Sequence, residues 1–358
     1  MKIAILGTRG IPNYYGGFEQ FAQYLSVGLV KSNHEVFVYN SSNHPYQESE
    51  YRGVKILHCY DPEDKIGTVG QFVYDFNCIL DSRKRNFDVI LQLGYTSSSV
   101  FNFLFKKSRI VTNMDGLEWK RSKYSKKVQI FLKFAEKLAV SYSDTLIADS
   151  IGIKEYLDTK YNLNSKYIPY GADAEQQHDL KHLKEFSLVP FYYDMLVARL
   201  EPENSVEEII EGFVKSSTSR KLVIIGSTST KLGHYLKNKI KDNRLIYLEY
   251  ISDINKLNSL RYYSNLYFHG HTVGGTNPSL LEAMASQALV CANDNIFNKS
   301  ILGTEAHYFS NSEQVSALVD SLTKDNYSHF ISANKNKILE TYNWTTIISQ
   351  YENELDET

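Results

Sequence analysis

A chain of 358 residues with 42% hydrophobic and 22% charged residues has the composition of an ordinary folded protein and length for about two domains, which excludes a disordered or fibrous chain. Its 39 basic and 41 acidic residues leave a formal charge of −2, which argues against nucleic acid as a partner. It has no run of about 18 uncharged apolar residues and only three scattered cysteines without a CxxC pair, so no membrane span, disulfide framework or structural zinc site is expected; a reducing cytoplasm is.

The first strand is predicted at Lys2–Leu6. It runs into Gly7-Thr8-Arg9-Gly10-Ile11-Pro12 and then Asn13-Tyr14-Tyr15-Gly16-Gly17-Phe18-Glu19, where helical spacing begins. Glycines between a strand and a helix N-terminus either expose backbone N–H groups to a phosphate or only make a tight turn. The dinucleotide fingerprint is excluded, because GxGxxG counted from Gly7 needs glycines at Arg9 and Pro12. Further strands are predicted at Glu35–Tyr39, Val54–His58, Asp88–Leu93, Arg109–Thr112, Thr145–Ala148 and Tyr167–Pro169, separated by helical patterns. Such alternation predicts βαβ units and a parallel sheet covered on both faces. Asp115, in the turn after the Arg109–Thr112 strand, is a candidate for orienting a substrate or for an Asx turn or cap. Residues 119–139, WKRSKYSKKVQIFLKFAEKLA, carry seven basic residues and one acidic residue among apolar side chains. That segment fits an anionic membrane surface or a solvated helix packed on its own domain.

The alternation restarts with strands predicted at Met195–Arg199, Leu222–Ile225, Leu245–Leu248, Leu266–His269 and Leu289–Ala292, giving two doubly wound domains, 1–172 and 173–340. Residues 341–358 carry a terminal helical pattern expected to return to the first domain. Open α/β sheets bind ligands at the carboxyl ends of their strands, so the loops there carry the candidates. Arg199 offers a planar, permanently charged fork to a phosphate, or pairs with Glu201 or Glu203. The run from His269 through His271, Gly274, Gly275, Thr276 and Asn277 to Ser279 leads directly into a helix carrying Glu282. It is a second surface for an anion and for sugar hydroxyls, with His271 facing either ligand or its own loop. His178 and His182, four apart in a helical pattern, are expected at the surface.

Taken together, PNYYGGFEQFAQYL, the ADS at 148–150, VARLEPEN at 197–204, GGTNPSLLEAMA at 274–285 and the closing YNWTTIISQY resemble the retaining glycosyltransferases of family 4 with the GT-B fold. GTRGIPNYYGGFE and the NMDGLEWKRSK at 113–123 are most similar to the bacterial rhamnosyltransferase-like branch that builds surface polysaccharides. The resemblance implies two Rossmann-like domains with an interdomain cleft and a C-terminal helix. It implies transfer of a sugar from a nucleotide-diphosphate donor, bound by the second domain, to a hydroxyl of an acceptor bound by the first. Carried over by position, Arg199 contacts the diphosphate, Glu282 holds the ribose as the second carboxylate of E-x7-E, and Gly16 and Gly17 close over the phosphates.

Two positions depart from the family: Gly274 stands where the first carboxylate of E-x7-E belongs, and Asn204 replaces a phosphate-binding lysine. Without that carboxylate a 6-deoxy sugar such as rhamnose, from dTDP-rhamnose, becomes the expected donor. Without the lysine, leaving-group charge falls to Arg199, backbone N–H groups or another cation. The chain has no DxD triplet, so no divalent metal and no other cofactor is expected. No sequence signal nominates a carboxylate nucleophile, and a front-face route is the family expectation. The expected acceptor is a polyprenyl-diphosphate-linked saccharide, with residues 119–139 resting on the cytoplasmic face of an anionic membrane. A sugar-nucleotide epimerase and a non-catalytic sugar-nucleotide binder are the competing readings.

Overall fold

The computed structural model describes residues 1–14, 16–105, 107–121 and 124–356. The chain divides into two compact units, one formed by Met1–Tyr170 together with Trp344–Thr358, the other by Gly171–Asn343.

The first unit holds β1 (Lys2–Leu6), β2 (Glu35–Ser41), β3 (Glu50–Tyr51), β4 (Val54–Cys59), β5 (Val89–Leu93), β6 (Arg109–Asn113), β7 (Thr145–Ala148) and β8 (Lys166–Tyr167). They form one sheet in the order β3-β4-β2-β1-β5-β6-β7-β8. All neighbours are parallel except β3, which pairs antiparallel with β4. The central strands read as apolar runs because both faces are covered, and Ile3, Ala4, Ile5 and Leu91 have no exposed surface. The two-residue β3 was not anticipated: it lies in the polar stretch ESEYRGV, where only its pairing with β4 makes it a strand. Gly7, just past β1, has φ 87°, and a Cβ there would stand 2.2 Å from the Leu93 carbonyl oxygen. Only glycine lets the chain turn out of β1 so close to β5.

The closing helix Trp344–Asp356 belongs to this first unit. Its Trp344 stacks on Tyr24 of the helix Gly17–Lys31 with ring centroids 4.5 Å apart, and a Cβ at Gly28 would lie 2.4 Å from Ile348. Tyr351, fully buried, accepts a hydrogen bond at its hydroxyl from the Asn113 amide at 2.8 Å.

The second unit holds β9 (Tyr193–Val197), β10 (Lys221–Ile225), β11 (Leu245–Leu248), β12 (Tyr267–His269), β13 (Val290–Asn293) and β14 (His307–Phe309). The order is β11-β10-β9-β12-β13-β14, parallel throughout. Its core includes Leu196, Phe213, Ile224, Phe268 and Val315. The edge strand β14 was also missed; three residues are too few for a pattern. Between the units' first crossing and β9, helix is confined to Lys181–Lys184, so His178 and His182 do not share a helical face. His178 is half-buried and stacks on Tyr262 at 4.1 Å and 9°, which corrects its expected place at the surface.

Candidate functional site

In the second unit the loops after β9, β12 and β13 emerge from the same edge of a parallel sheet. After β9 the chain passes through Ala198 and Arg199 into a single turn, Pro202–Asn204, and Ser205 with φ 45° starts the helix Val206–Lys215. The Arg199 side chain is exposed and makes no hydrogen bond or ion pair among the described residues, so the alternative pairing with Glu201 or Glu203 is not formed.

Asn204 is buried, and its amide is used at both ends. Nδ2 donates to the Arg199 carbonyl at 2.8 Å, while Oδ1 meets His271 Nδ1 at 3.0 Å. Asn204 therefore joins the two loops instead of reaching outward as a ligand contact. Thr272 adds two more ties, donating from its N–H and its hydroxyl to the Glu203 carbonyl, each at 2.9 Å. Beyond β13, the amides of Asn295, which caps the helix Ile296–Leu302, and of Asn298 in its first turn donate to the His271 carbonyl at 2.9 and 3.1 Å. Gly270 fits this seam because a Cβ there would lie 2.0 Å from the Asn204 carbonyl oxygen. Gly274 has φ 127°, and a Cβ on it would meet His271 Nε2 at 3.0 Å. The imidazole thus flanks the place where a side chain at 274 would begin.

Gly275 and the buried Thr276 continue the loop to Asn277, whose Oδ1 accepts the Ser279 N–H at 2.9 Å and caps the helix Pro278–Ala285. That use of Asn277 is the ordinary one at a helix start. Glu282 is held by a group that the motifs did not reveal. Arg261, 1% exposed, places Nη2 2.7 Å from Glu282 Oε2, and the same guanidinium donates to Asn258 Oδ1 at 2.9 Å and Ser279 Oγ at 3.2 Å. His269, at the end of β12, is buried beneath this loop. Burial, then the nearby His271 and Arg261, pushes its imidazole down to about 3, so it is neutral at physiological pH.

In the first unit, Gly16 and Gly17 are exposed at the start of the helix Gly17–Lys31, and Gly16 supplies no side-chain cap. The preceding loop is fixed by Arg9, whose N–H donates to the buried Glu19 at 3.0 Å and whose guanidinium grips Glu63 at 2.7–3.1 Å. Asp115 stands just past β6 with φ 49°, its N–H bonded to Asn113 Oδ1 at 2.9 Å, an Asx turn with Asn113 as acceptor. Beside it at the same sheet edge lies the buried Tyr170, whose hydroxyl is pushed up by burial and by Asp115, Asp149 and Glu19. Gly16, Gly17 and Asp115 thus sit on the carboxyl rim of the first sheet.

The basic segment forms the helix Lys126–Tyr142; Ser122 and Lys123 lie outside the described residues. Its inner face buries Leu132, Ala135, Glu136 and Ala139. Glu136, the segment's one acid, is 1% exposed and accepts from Trp119 Nε1, the Tyr156 and Tyr161 hydroxyls and Lys160 Nζ at 2.7–2.9 Å. Arg121 pairs with Glu118 at 2.7 Å. The outer face carries Lys126, Lys127, Lys133 and Lys137 beside Val128, Ile130 and Phe134, the last two 69% and 55% exposed. Among the described residues no helix is long and apolar enough to cross a membrane.

Residues 1–173, just under half of the chain, match the model of a domain of unknown function, DUF1972. No curated protein sequence matches. Solved structures match over nearly the whole length. Sucrose-phosphate synthase from Thermosynechococcus elongatus superposes with a TM-score of 0.79 at 12% identity, covering 99% of this chain and 98% of that one. HepE of Anabaena, solved with UDP-glucose, gives 0.74 at 13% identity and 99% of both chains. A UDP-forming trehalose-phosphate synthase from Burkholderia vietnamiensis gives 0.73 at 11% identity and 99% of both. The chain has the GT-B fold.

Proposed function

We propose that the protein is a retaining glycosyltransferase that moves a sugar from a nucleoside-diphosphate donor to a hydroxyl of a polyprenyl-diphosphate-linked saccharide. The observation that carries this is the pair of joined loops after β9 and β12, with an Arg199 guanidinium that has no partner among the described residues, a glycine-rich turn and a helix start with Glu282 anchored by Arg261. Departure of a nucleoside diphosphate builds charge on its β-phosphate, and donors fixed in advance lower that barrier more than uniform binding does. Arg199 meets the diphosphate and Glu282 the ribose. No nucleophile is assigned: the departing phosphate takes the acceptor's proton on the front face, with Asp115 orienting the acceptor or the transferred sugar and Gly16 and Gly17 serving the phosphates.

Gly274 leaves the sugar without a carboxylate partner and sets His271 beside it, which favours a 6-deoxy sugar, with dTDP-rhamnose as donor and no divalent metal. The GT-B neighbours that bind UDP or UDP-glucose support the nucleotide-sugar class. A thermal-shift panel with dTDP-rhamnose, dTDP, UDP-glucose, UDP-galactose, GDP-mannose and NADH, first in EDTA and then in magnesium, tests this directly. A ligand bound only by the folded state raises Tm with its occupancy. A rise confined to dTDP and dTDP-rhamnose, and equal in EDTA, is expected. A rise with a UDP-hexose instead reassigns the donor, dependence on magnesium overturns the metal-independent reading, and no rise with any sugar nucleotide overturns the function.

The acceptor's lipid places the enzyme at the inner face of an anionic membrane, and the outer face of the Lys126–Tyr142 helix is the contact. Turning Glu136 inward leaves that face without an acidic side chain. Each lysine near an anionic surface contributes about 1 kcal/mol. Replacing Lys126, Lys127, Lys133 and Lys137 by serine should therefore weaken binding to phosphatidylserine-containing vesicles by roughly 10²-fold or more, measured by flotation. Equal flotation of wild type with neutral and anionic vesicles would refute the contact.

A further inference from the structure

Cys59 and Cys78 share no sequence motif, yet the fold of the first unit brings them together. Cys59 ends β4 opposite Ser41 of β2, while Leu57 stands opposite Tyr39. Side chains alternate along a strand, so Tyr39, Leu57 and Cys59 project from one face of the sheet. The helix Val69–Ser82 covers that face, and its Tyr74, Cys78 and Ile79 form one core with Tyr39, against which Leu57 and Cys59 pack. The helix is fastened to β2 on either side of Cys78. The Tyr74 hydroxyl donates to the Tyr39 carbonyl at 2.9 Å, and the Tyr39 hydroxyl donates to Asp81 Oδ2 at 2.9 Å. Both cysteines are free thiols; Cys78 is 1% exposed and Cys59 is half-buried, so the pair joins a solvent-reachable residue to one behind it.

We propose that Cys59 and Cys78 form a reversible oxidation site, at which a hydroperoxide oxidises Cys59 and Cys78 then closes a disulfide between β4 and the helix Val69–Ser82. In the first step the Cys59 thiolate attacks the O–O bond; an S–O bond forms, and the departing hydroxide or alkoxide takes a proton from solvent. In the second, Cys78 gives up its proton and attacks the Cys59 sulfur; an S–S bond forms, the S–O bond breaks and water leaves. Two thiols lose two electrons and the hydroperoxide gains them. The chemistry is independent of sugar transfer, and in a reducing compartment such a bond is transient.

The two sulfurs differ in the way these roles require. A hydrogen bond from the Cys78 thiol holds the Cys59 pKa below the ordinary thiol value against burial and the nearby Asp81, with Arg85 adding to the lowering. Burial, and then the bond to Cys59, raises Cys78 well above that value. Cys59 is thus the attacking thiolate and Cys78 the resolving thiol. The strand end they would fix leads directly into Asp61, which accepts from Ser41 Oγ at 2.6 Å, and Glu63, which holds Arg9. A disulfide would tie the loop Tyr60–Asn77 at its base, on the carboxyl rim of the first sheet. The third cysteine, Cys291, lies in the core of the second unit with its thiol raised by burial, and serves as an internal reference.

The test is treatment of the full, folded chain with hydrogen peroxide, then alkylation, digestion without reductant and mass spectrometry. The peptides holding Cys59 and Cys78 should be found joined, lighter by two hydrogens than their sum, and parted again by dithiothreitol, with Cys291 still a thiol. Before oxidation, Cys59 should react with iodoacetamide at least ~10-fold faster than Cys78, a tenfold difference in thiolate for each unit between their pKa values. In Cys78→Ala, which lacks the resolving thiol, dimedone should trap the sulfenic acid on Cys59. In Cys59→Ser, Cys78 should stay reduced under the same treatment. Unlinked cysteines after peroxide, Cys59 running on to sulfinic acid in the wild type, or a bridge only between two copies of the chain would overturn the proposal. Oxidation of Cys78 in Cys59→Ser as fast as in the wild type would overturn the assignment of the two roles.

Discussion

Replacing Arg199 by alanine is expected to lower kcat by at least ~10²-fold with little change in Tm, by analogy with the loss of a preorganised charge-stabilising donor. The two halves of that expectation come from different atoms of one residue. The carbonyl of Arg199 is what Asn204 binds, and alanine keeps it, so the junction between the loops survives. The guanidinium is exposed and unengaged among the described residues, so its removal leaves no buried partner stranded. The loss should appear in kcat more than in the donor KM, because charge on the β-phosphate grows as the bond breaks. Lysine at 199 should recover only part of the rate, since a point charge does not reproduce a planar fork. Turnover is read as release of nucleoside diphosphate with a lipid-linked acceptor, and a kcat within a few-fold of wild type would remove Arg199 from the reaction.

Arg261→Leu should be the most destabilising of the substitutions considered, costing about 3 kcal/mol, the lower end for removing one member of a buried pair because Glu282 keeps some solvent. Three acceptors lose their donor at once: Glu282, Asn258 and Ser279. For a unit of this size the corresponding fall in Tm is about 6–12 °C. The double variant Arg261→Leu, Glu282→Leu should recover part of the loss, because removing both charges leaves no stranded carboxylate. A single variant melting within 2 °C of wild type, to take about the smallest resolvable shift on that scale, would show that the pair contributes nothing.

The contrast between these residues explains what a reader of the sequence sees. Runs such as KIAIL, EVFVYN and KLVII announce parallel strands, since a strand covered on both faces needs apolar residues at successive positions. Glu50–Tyr51 and His307–Phe309 carry no such signature, being strands through their neighbours alone. The glycine-rich turn was legible because Gly274 is required by its backbone, a local property. Arg261 was not, because its burial follows from elements that meet only in three dimensions, and an arginine in the helix Ile254–Tyr262 looks like any solvated one. Asn204 was seen as a departure from a family pattern, yet its partner His271 lies 67 residues away, and no spacing rule links them. His178 was misread for the same reason: the ring it stacks upon is Tyr262.

The placement of the Trp344–Asp356 helix sets the order in which the protein can be completed during synthesis. Phe21 and Tyr24, made near the beginning, wait for Trp344 and Tyr351, made near the end, before their rings are covered. Gly171–Asn343 is a complete unit in between and is free to fold while the first sheet still shows an uncovered helix face. A nascent chain stalled before residue 344 therefore carries one finished half and one half open to misassembly. A fragment ending at 170, however well its boundary is drawn, is a strand-complete sheet without the helix that seals it.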